Sequence, residues 1–504
     1  MKTKLIKYSF LGFLFLLGYI IFIICVWSSN TFNVGLDEII FTITSPMKGA
    51  DTNLVYDALK FCLPRIGVIL LCAVILIMAI ERIKNETTIN IEIAKKNIFL
   101  NCKKLFVRFA VFLCILSLIN SVLFVNKTYS LFDFIKTQVV SSTLYEDYYV
   151  DPNEVNIVLS NNVDKPKNLL YICLESMETS YASVEEGGKQ EVSYIPNLVS
   201  LAKNNISFSN TEKIGGYNNT DGNGYTIGAL MSLTSGVPFS FPIHCNDMGE
   251  RQIFAAGLTN LGDILEEKGY NQEFLCGSDS GFAGRDLYFT QHGNYKIFDL
   301  YTARDLGYID NDYYNGFWGY EDSYLYEIAK DELLSLAEQD EPFNFMMLTV
   351  DTHNISGYVC SLCENEYDMQ LKNIVKCADK QLASFIEWCE SQSFYEDTVI
   401  IITGDHPRMD TDLVEGLSYE ERTIYNCFIN CELTESTVTN NRIFTPMDIF
   451  PTTMYLLGFE WGGNRLGLGT NLFSSEKTLA EEMGYETFNE ELAKKSAYYL
   501  ANFS

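Results

Sequence analysis

Cations are scarce in this chain, and histidines scarcer still. Its 504 residues carry 36 Lys+Arg against 65 Asp+Glu, a net charge of −29, and four His. So acidic a chain excludes a nucleic-acid backbone as partner. Internal repeats and low-complexity tracts are missing. Disorder is excluded as well, because 47% of the residues are hydrophobic and 14% aromatic. The length calls for more than one folded unit.

The charge is unevenly placed. Residues 1–125 have a net charge of +6 and the remainder −35. The basic part holds three apolar runs, Tyr8–Val26, Leu63–Ile80 and Leu105–Val125. Each approaches the ~20 residues that cross a bilayer. The first lacks a small-residue cleavage site after it, so it reads as an anchor and not as a removable leader. Lys2, Lys4 and Lys7 precede the first run, and Arg82, Lys84, Lys95, Lys96, Lys103 and Lys104 lie between the second and third. The positive-inside bias puts both segments in the cytoplasm and everything after the third run outside. The expected organisation is a three-helix transmembrane anchor over 1–125, a juxtamembrane linker over 126–167, and an extracytoplasmic domain over 168–504, in a multi-pass protein of the cell membrane.

Beyond the linker, short apolar runs at Leu169–Leu174, Gln272–Cys276, Phe343–Val350 and Thr398–Thr403 read as buried strands. Helical spacing recurs at Ile195–Asn204, Leu261–Lys268, Tyr320–Glu338 and Asn373–Glu390. Strands alternating with helices imply an α/β domain, a mainly parallel sheet flanked by helices. Three of the strands end in chemistry: Glu175-Ser176, Asp351-Thr352-His353 and Gly404-Asp405-His406. Open α/β sheets bind ligands at those carboxyl ends, and Glu, Asp and His there suit a divalent cation. His292 follows the glycine-rich turn Gly281-Phe282-Ala283-Gly284-Arg285, whereas His244 reads as an ordinary loop residue.

The segment Asp221-Gly222-Asn223-Gly224-Tyr225-Thr226 leads into an apolar, helix-like run. Thr226 would sit at a helix N-terminus, where free backbone N–H groups and the dipole favour an anion. A simple Thr N-cap is the plainer alternative.

With these residues in view, the outer domain resembles the alkaline phosphatase/sulfatase superfamily. Within it, the chain looks like the lipoteichoic acid synthase and membrane phosphoglycerol transferase group. The matching pieces are the strand ending in Glu175-Ser176, Gly224-Tyr225-Thr226, Phe282-Ala283-Gly284-Arg285, Trp318-Gly319-Tyr320-Glu321-Asp322, Asp351-Thr352-His353, Gly404-Asp405-His406 and Met447-Asp448-Ile449-Phe450-Pro451-Thr452. Val34-Gly35-Leu36-Asp37-Glu38, followed by Ser45-Pro46, is similar to the first outer loop of these enzymes. The phosphoglycerol transferase I branch looks closest.

The resemblance implies one divalent metal, Mn²⁺ or Mg²⁺, held by Glu175, Thr226, Asp405 and His406. Thr226 would be the nucleophile, and His353, Arg285 and His292 would line the substrate site. It implies transfer of phosphoglycerol from phosphatidylglycerol, through a phospho-threonine, to a cell-envelope glycan or teichoic-acid-like acceptor. A phosphoethanolamine transferase, a phosphodiesterase of the same superfamily, and an inactive binding scaffold are the alternatives. Thr226 lacks the C-x-P-x-R setting of sulfatases, and four His are too few for the extra metals of alkaline phosphatases. Ala283 stands where lipoteichoic acid synthases carry Trp. Trp318 reads as packing and Asp448 as ordering a nearby helix.

Of 14 Cys, nine follow residue 125, and an odd number outside leaves one unpaired. Cys360-x-x-Cys363 closely follows His353 and could bridge to Cys377 or within the pair; it reads as a disulfide bracing that loop. A metal there would need further ligands that Cys377 and Cys389 do not supply in sequence. Cys173, inside a strand, reads as a buried thiol.

Overall fold

A computed structural model describes the chain except residues 1, 33, 45–51, 85, 94–95, 164, 242–252, 314–316 and 504. His244 and Ser45-Pro46 lie outside the described residues. The chain divides into two compact units, Met1–Asn33 with Thr52–Asp133, and Val34–Asp51 with Phe134–Ser504.

The first unit consists of α1 (Lys2–Thr31), α3 (Thr52–Arg82), α4 (Cys102–Tyr129) and a hairpin, Thr88–Ile93 with Lys96–Asn101. Helix α1 packs along α4, and Ser28 Oγ and Tyr129 Oη share a hydrogen bond of 2.5 Å. Two helical stretches, Leu54–Arg82 and Cys102–Tyr129, are long and apolar enough to cross a membrane. The first apolar run reaches that standard only when Phe15–Thr31 is counted together with Leu36–Thr42. Leu63, Val68, Leu71, Phe109, Phe112 and Leu123 of α3 and α4 are exposed, as a face turned to lipid requires.

The second unit is built on a six-stranded sheet. Its strands are β1 (Asn168–Leu174), β2 (Asn271–Cys276), β3 (Lys296–Phe298), β4 (Phe343–Leu348), β5 (Thr398–Gly404) and β6 (Asn426–Ile429), in the order β6-β5-β1-β4-β2-β3. All neighbours pair in parallel except β6 with β5. The four expected strands form the centre, and the two short strands at the edges are additions.

Both faces of β1 are buried. Leu169, Tyr171 and Cys173 join one apolar core, and Leu170, Ile172 and Leu174 the other. Burial on both sides is why the parallel strands read as continuous apolar runs. Cys173 lies among them as an inert thiol, its pKa pushed well up by burial. The expected helices occur as Pro196–Asn204, Leu261–Glu267, Asp322–Ala337 and α6 (Gln370–Glu390). Helix α5 (Thr226–Ser235) is buried along almost its whole length.

Helix α2 (Leu36–Thr44) belongs to this unit although it lies between the first two apolar runs in sequence. Its Phe41 and Glu38 are buried. Glu38 accepts hydrogen bonds from Gly35 N at 2.6 Å and Tyr419 Oη at 3.2 Å.

Candidate active site

Strands β1 and β5 are neighbours in parallel register, with Leu174 opposite Gly404. Their next residues, Glu175 and Asp405-His406, therefore emerge side by side. Strand β4, on the other side of β1, leads into the loop that carries His353.

The backbone around these groups is tightly tied. Glu175 N donates to Thr349 Oγ1 at 2.9 Å, and Thr352 Oγ1 donates to Glu175 O at 2.6 Å. Ser176 adopts φ +52, a costly conformation for a non-glycine residue. It places Ser176 N 2.7 Å from Asp405 Oδ1, which also accepts from His406 N at 2.8 Å. The other oxygen, Asp405 Oδ2, is buried with no hydrogen-bond partner among the described residues.

Thr226 is the first residue of α5; Tyr225 takes the N-cap place with no side-chain cap. The Thr226 hydroxyl is thus left for the cluster. Its Oγ1 lies 3.5 Å from Glu175 Oε2 and 3.4 Å from His406 Nε2. His406 Nε2 is 3.3 Å from Asp405 Oδ2 and 3.7 Å from Glu175 Oε1. His406 Nδ1 faces Pro407 O at 2.9 Å, which assigns the ring proton to Nδ1 and turns the Nε2 lone pair inward. One ligand atom each from Glu175, Asp405 and His406 falls within 4.8 Å of the others.

Burial and the Glu175 charge push the Asp405 carboxyl up to about 7. Burial also opposes ionisation of Glu175, but His353 and His406 outweigh it and hold its pKa down. For His406, burial is outweighed by Asp405 and Glu175, and its pKa rises. Buried carboxylates gathered in this way repel one another unless a cation joins them. The partnerless Asp405 Oδ2, the inward Nε2 and the hydroxyl make a hard O/N donor set that fits a divalent ion.

His353 stands beside this group. Its Nδ1 faces Asn354 O at 2.7 Å, and its ring packs on Trp318, centroids 4.4 Å apart. Burial lowers its pKa, so the neutral imidazole prevails near pH 7. Asp322 holds the start of its loop, accepting from Val350 N at 2.7 Å and Asp351 N at 3.1 Å.

Arg285 is buried and turned back on its own segment. It donates to Ser278 Oγ at 3.0 Å and Asp279 O at 2.8 Å, while Nε has no partner among the described residues. His292 has no contact with the cluster. Its Nδ1 faces Asp263 Oδ2 at 2.9 Å and its Nε2 faces Phe254 O at 2.9 Å. Both ring nitrogens are thereby committed to holding a loop and a helix N-terminus. Asp448 orders a helix start: Oδ2 accepts from Thr445 N at 2.8 Å and Oδ1 from Thr470 N at 2.7 Å.

The expected disulfide beside His353 does not form. Cys360 Sγ lies 3.6 Å from Cys363 Sγ and 3.7 Å from Cys377 Sγ, and all three are free thiols.

Sequence reasoning missed a buried ionic frame under the site. Arg422 pairs with Glu178, and Arg408 pairs with Asp410 and also reaches Thr352 O. Glu178 also accepts from Arg408 N at 2.8 Å. The signal was faint: an Arg two residues after His406 and a Glu three after Glu175.

Comparison with known proteins fits this geometry. Phosphoglycerol transferase I of Xanthomonas campestris pv. campestris is 28% identical over 324 residues, 62% of this chain and 44% of the relative. That of Escherichia coli O127:H6 is 29% identical over 339 residues, 65% and 41% respectively. The chain thus spans less than half the length of these curated relatives. Among solved structures, the lipoteichoic acid synthase LtaP of Listeria monocytogenes superposes with a TM-score of 0.49 at 20% identity, covering 63% of this chain and 79% of that one. The family model named Sulfatase matches residues 167–459. That span takes in more than half of the chain, the central sheet, and Glu175, Thr226, Asp405 and His406 together, so the chain belongs to the sulfatase family.

Proposed function

We propose that this chain is a membrane-anchored phosphotransferase. It moves phosphoglycerol from phosphatidylglycerol to a hydroxyl of a cell-envelope glycan or glycerophosphate chain through a phospho-threonine intermediate. The observation that carries the reading is the Thr226 hydroxyl at a helix N-terminus, within 3.5 Å of both Glu175 and His406. Kinship with phosphoglycerol transferase I supplies the substrate class.

Glu175, Thr226, Asp405 and His406 would hold one divalent ion, Mn²⁺ or Mg²⁺. Once bound, the ion withdraws charge from the phosphoryl oxygens and acidifies the threonine hydroxyl.

Thr226 Oγ1 attacks phosphorus while the bond from phosphorus to the diacylglycerol oxygen breaks. The free N–H groups at the start of α5 face the phosphoryl oxygens. The Thr226 hydroxyl proton passes to the neutral His353 imidazole, which hands it to the departing diacylglycerol oxygen. The acceptor hydroxyl then enters, gives its proton to the same imidazole and displaces Thr226, whose oxygen takes that proton back. Arg285 acts through the Ser278–Ser280 turn that it ties together. Trp318 fixes the His353 ring. The apolar helices keep the site at the lipid headgroups, and the basic residues flanking them set the catalytic unit outside the cytoplasm.

The test is release of diacylglycerol from headgroup-labelled phosphatidylglycerol by the detergent-solubilised full chain with Mn²⁺. Wild type should release it and leave label on the protein, and Thr226→Ala should do neither. No release by wild type overturns the transferase reading. Release by Thr226→Ala at the wild-type rate overturns only the nucleophile. Phosphatidylethanolamine run in parallel identifies the donor.

A further inference from the structure

Outside the site just described, the described residues hold one other cluster of possible metal ligands: Cys360, Cys363 and Cys377. Cys360 and Cys363 bracket a tight turn, with Cys363 N donating to Cys360 O at 3.2 Å. Cys377 projects from α6, eight positions into Gln370–Glu390. Cys360 and Cys377 are buried and Cys363 is half-buried.

The spacing of the sulfurs is informative. The distances from Cys360 Sγ to the other two, 3.6 and 3.7 Å, far exceed the ~2.05 Å of a disulfide. A tetrahedral zinc site with Zn–S bonds of ~2.3 Å puts its sulfurs about 3.8 Å apart. Two edges of the triangle therefore match those of one face of such a tetrahedron, and the third lies within 4.8 Å. A turn-borne C-x-x-C commonly supplies two of the ligands of a protein zinc site.

A side-chain donor faces two of the sulfurs. The amide Nε2 of Gln381, one helical turn after Cys377, lies 3.4 Å from Cys377 Sγ and 3.8 Å from Cys360 Sγ. A cavity of about 270 Å³, lined by Leu362, Cys377, Lys380, Gln381 and Phe385 among others, opens beside the cluster and has room for water.

We propose that Cys360, Cys363 and Cys377 bind one soft divalent cation of the zinc class, with water from this cavity as fourth ligand. The thiols lose their protons on binding, giving three thiolates and a net charge of −1. The ion clamps the loop that begins at His353 onto α6, so it is structural and separate from the phosphoryl-transfer centre.

Cobalt distinguishes the two centres, because only this one has sulfur ligands. The reduced full chain, stripped with chelator and titrated with Co²⁺, should develop a thiolate-to-cobalt charge-transfer band that saturates at one equivalent. Zn²⁺ should bleach it. Cys363→Ser, at the half-buried position, should abolish the band while Glu175→Gln keeps it. Gln381→Leu should weaken binding ~10–100-fold, as loss of a supporting hydrogen bond does. Should Cys363→Ser fail to fold, alkylation of the wild-type chain substitutes: all three thiols should be protected by Zn²⁺ and exposed by chelator. A reduced chain without the band, or unreduced peptide maps joining Cys360 to Cys363 or to Cys377, overturns the proposal. Failure of lipid turnover with the band intact sinks the proposed function and leaves this site standing.

Discussion

The ring of Phe41 lies flat on that of Tyr225, centroids 4.0 Å apart and planes 8° from parallel. Tyr225 immediately precedes Thr226, so α2 is packed against the start of α5. Glu38 adds a second hold: its carboxylate occupies the place where a side chain on Gly224 would begin. Phe41→Ala should remove about 3 kcal/mol of this docking. Turnover should fall several-fold, and α2 should become open to limited proteolysis. Wild-type turnover with α2 still protected would show that the helix is a passenger.

His353 is neutral near pH 7 and rests on Trp318. His353→Ala should lower kcat by about 10²-fold, at the low end for a lost acid–base group, with little change in melting temperature. Trp318→Leu frees the ring without removing it and should cost less, about tenfold. Equal losses from the two would mean that the imidazole only packs.

The pair of Glu178 and Arg422 is fully buried. Replacing Arg422 with Leu leaves the Glu178 charge without its guanidinium and should destabilise the second unit by about 3–5 kcal/mol. The double variant Glu178→Gln with Arg422→Leu should recover part of that. Chemical denaturation of the three proteins measures it, and additive losses would contradict a coupled pair.

Burial pushes Asp448 up to about 7, against about 3.9 in an unfolded chain. Between those values the folded protein keeps a proton that the unfolded chain has released. Asp448 therefore contributes stability that is complete below pH about 4 and is lost as pH rises through about 7, at most about 1.4 kcal/mol per pH unit. Asp448→Asn keeps one acceptor for Thr470 N, loses the bonds from Thr445, and does not titrate. It should be less stable than wild type at pH 5, with the gap narrowing by pH 8. A gap independent of pH would place the ionisation elsewhere.

Much of the second unit was legible because its central strands are buried on both faces. Such strands favour unbroken apolar runs, and Leu169–Leu174 and Val399–Ile402 are two. The polar residues that end those runs are conspicuous for the same reason, and parallel register then brings Glu175 beside Asp405. Strand β6 carries Asn426 and only four residues, too short a pattern to declare itself. The approach of Glu38 and Phe41 to Thr226 spans more than 180 residues of chain and has no local signature. The sequence brought Cys360, Cys363 and Cys377 together as bridging partners, but residue type alone does not say whether neighbouring sulfurs bond, and here all three are free thiols.

The placement of α2 bears on how this protein can be cut. A soluble fragment that starts at residue 134 would discard all four of the first helices, including the one that belongs with the sheet. It would keep every cluster residue yet open a slot beside Tyr225 where Phe41 had been, and leave Tyr419 without Glu38. Such a fragment is a variant enzyme, not a shortened one. Its difference in rate from the whole chain reports on the missing helix before it reports on the membrane.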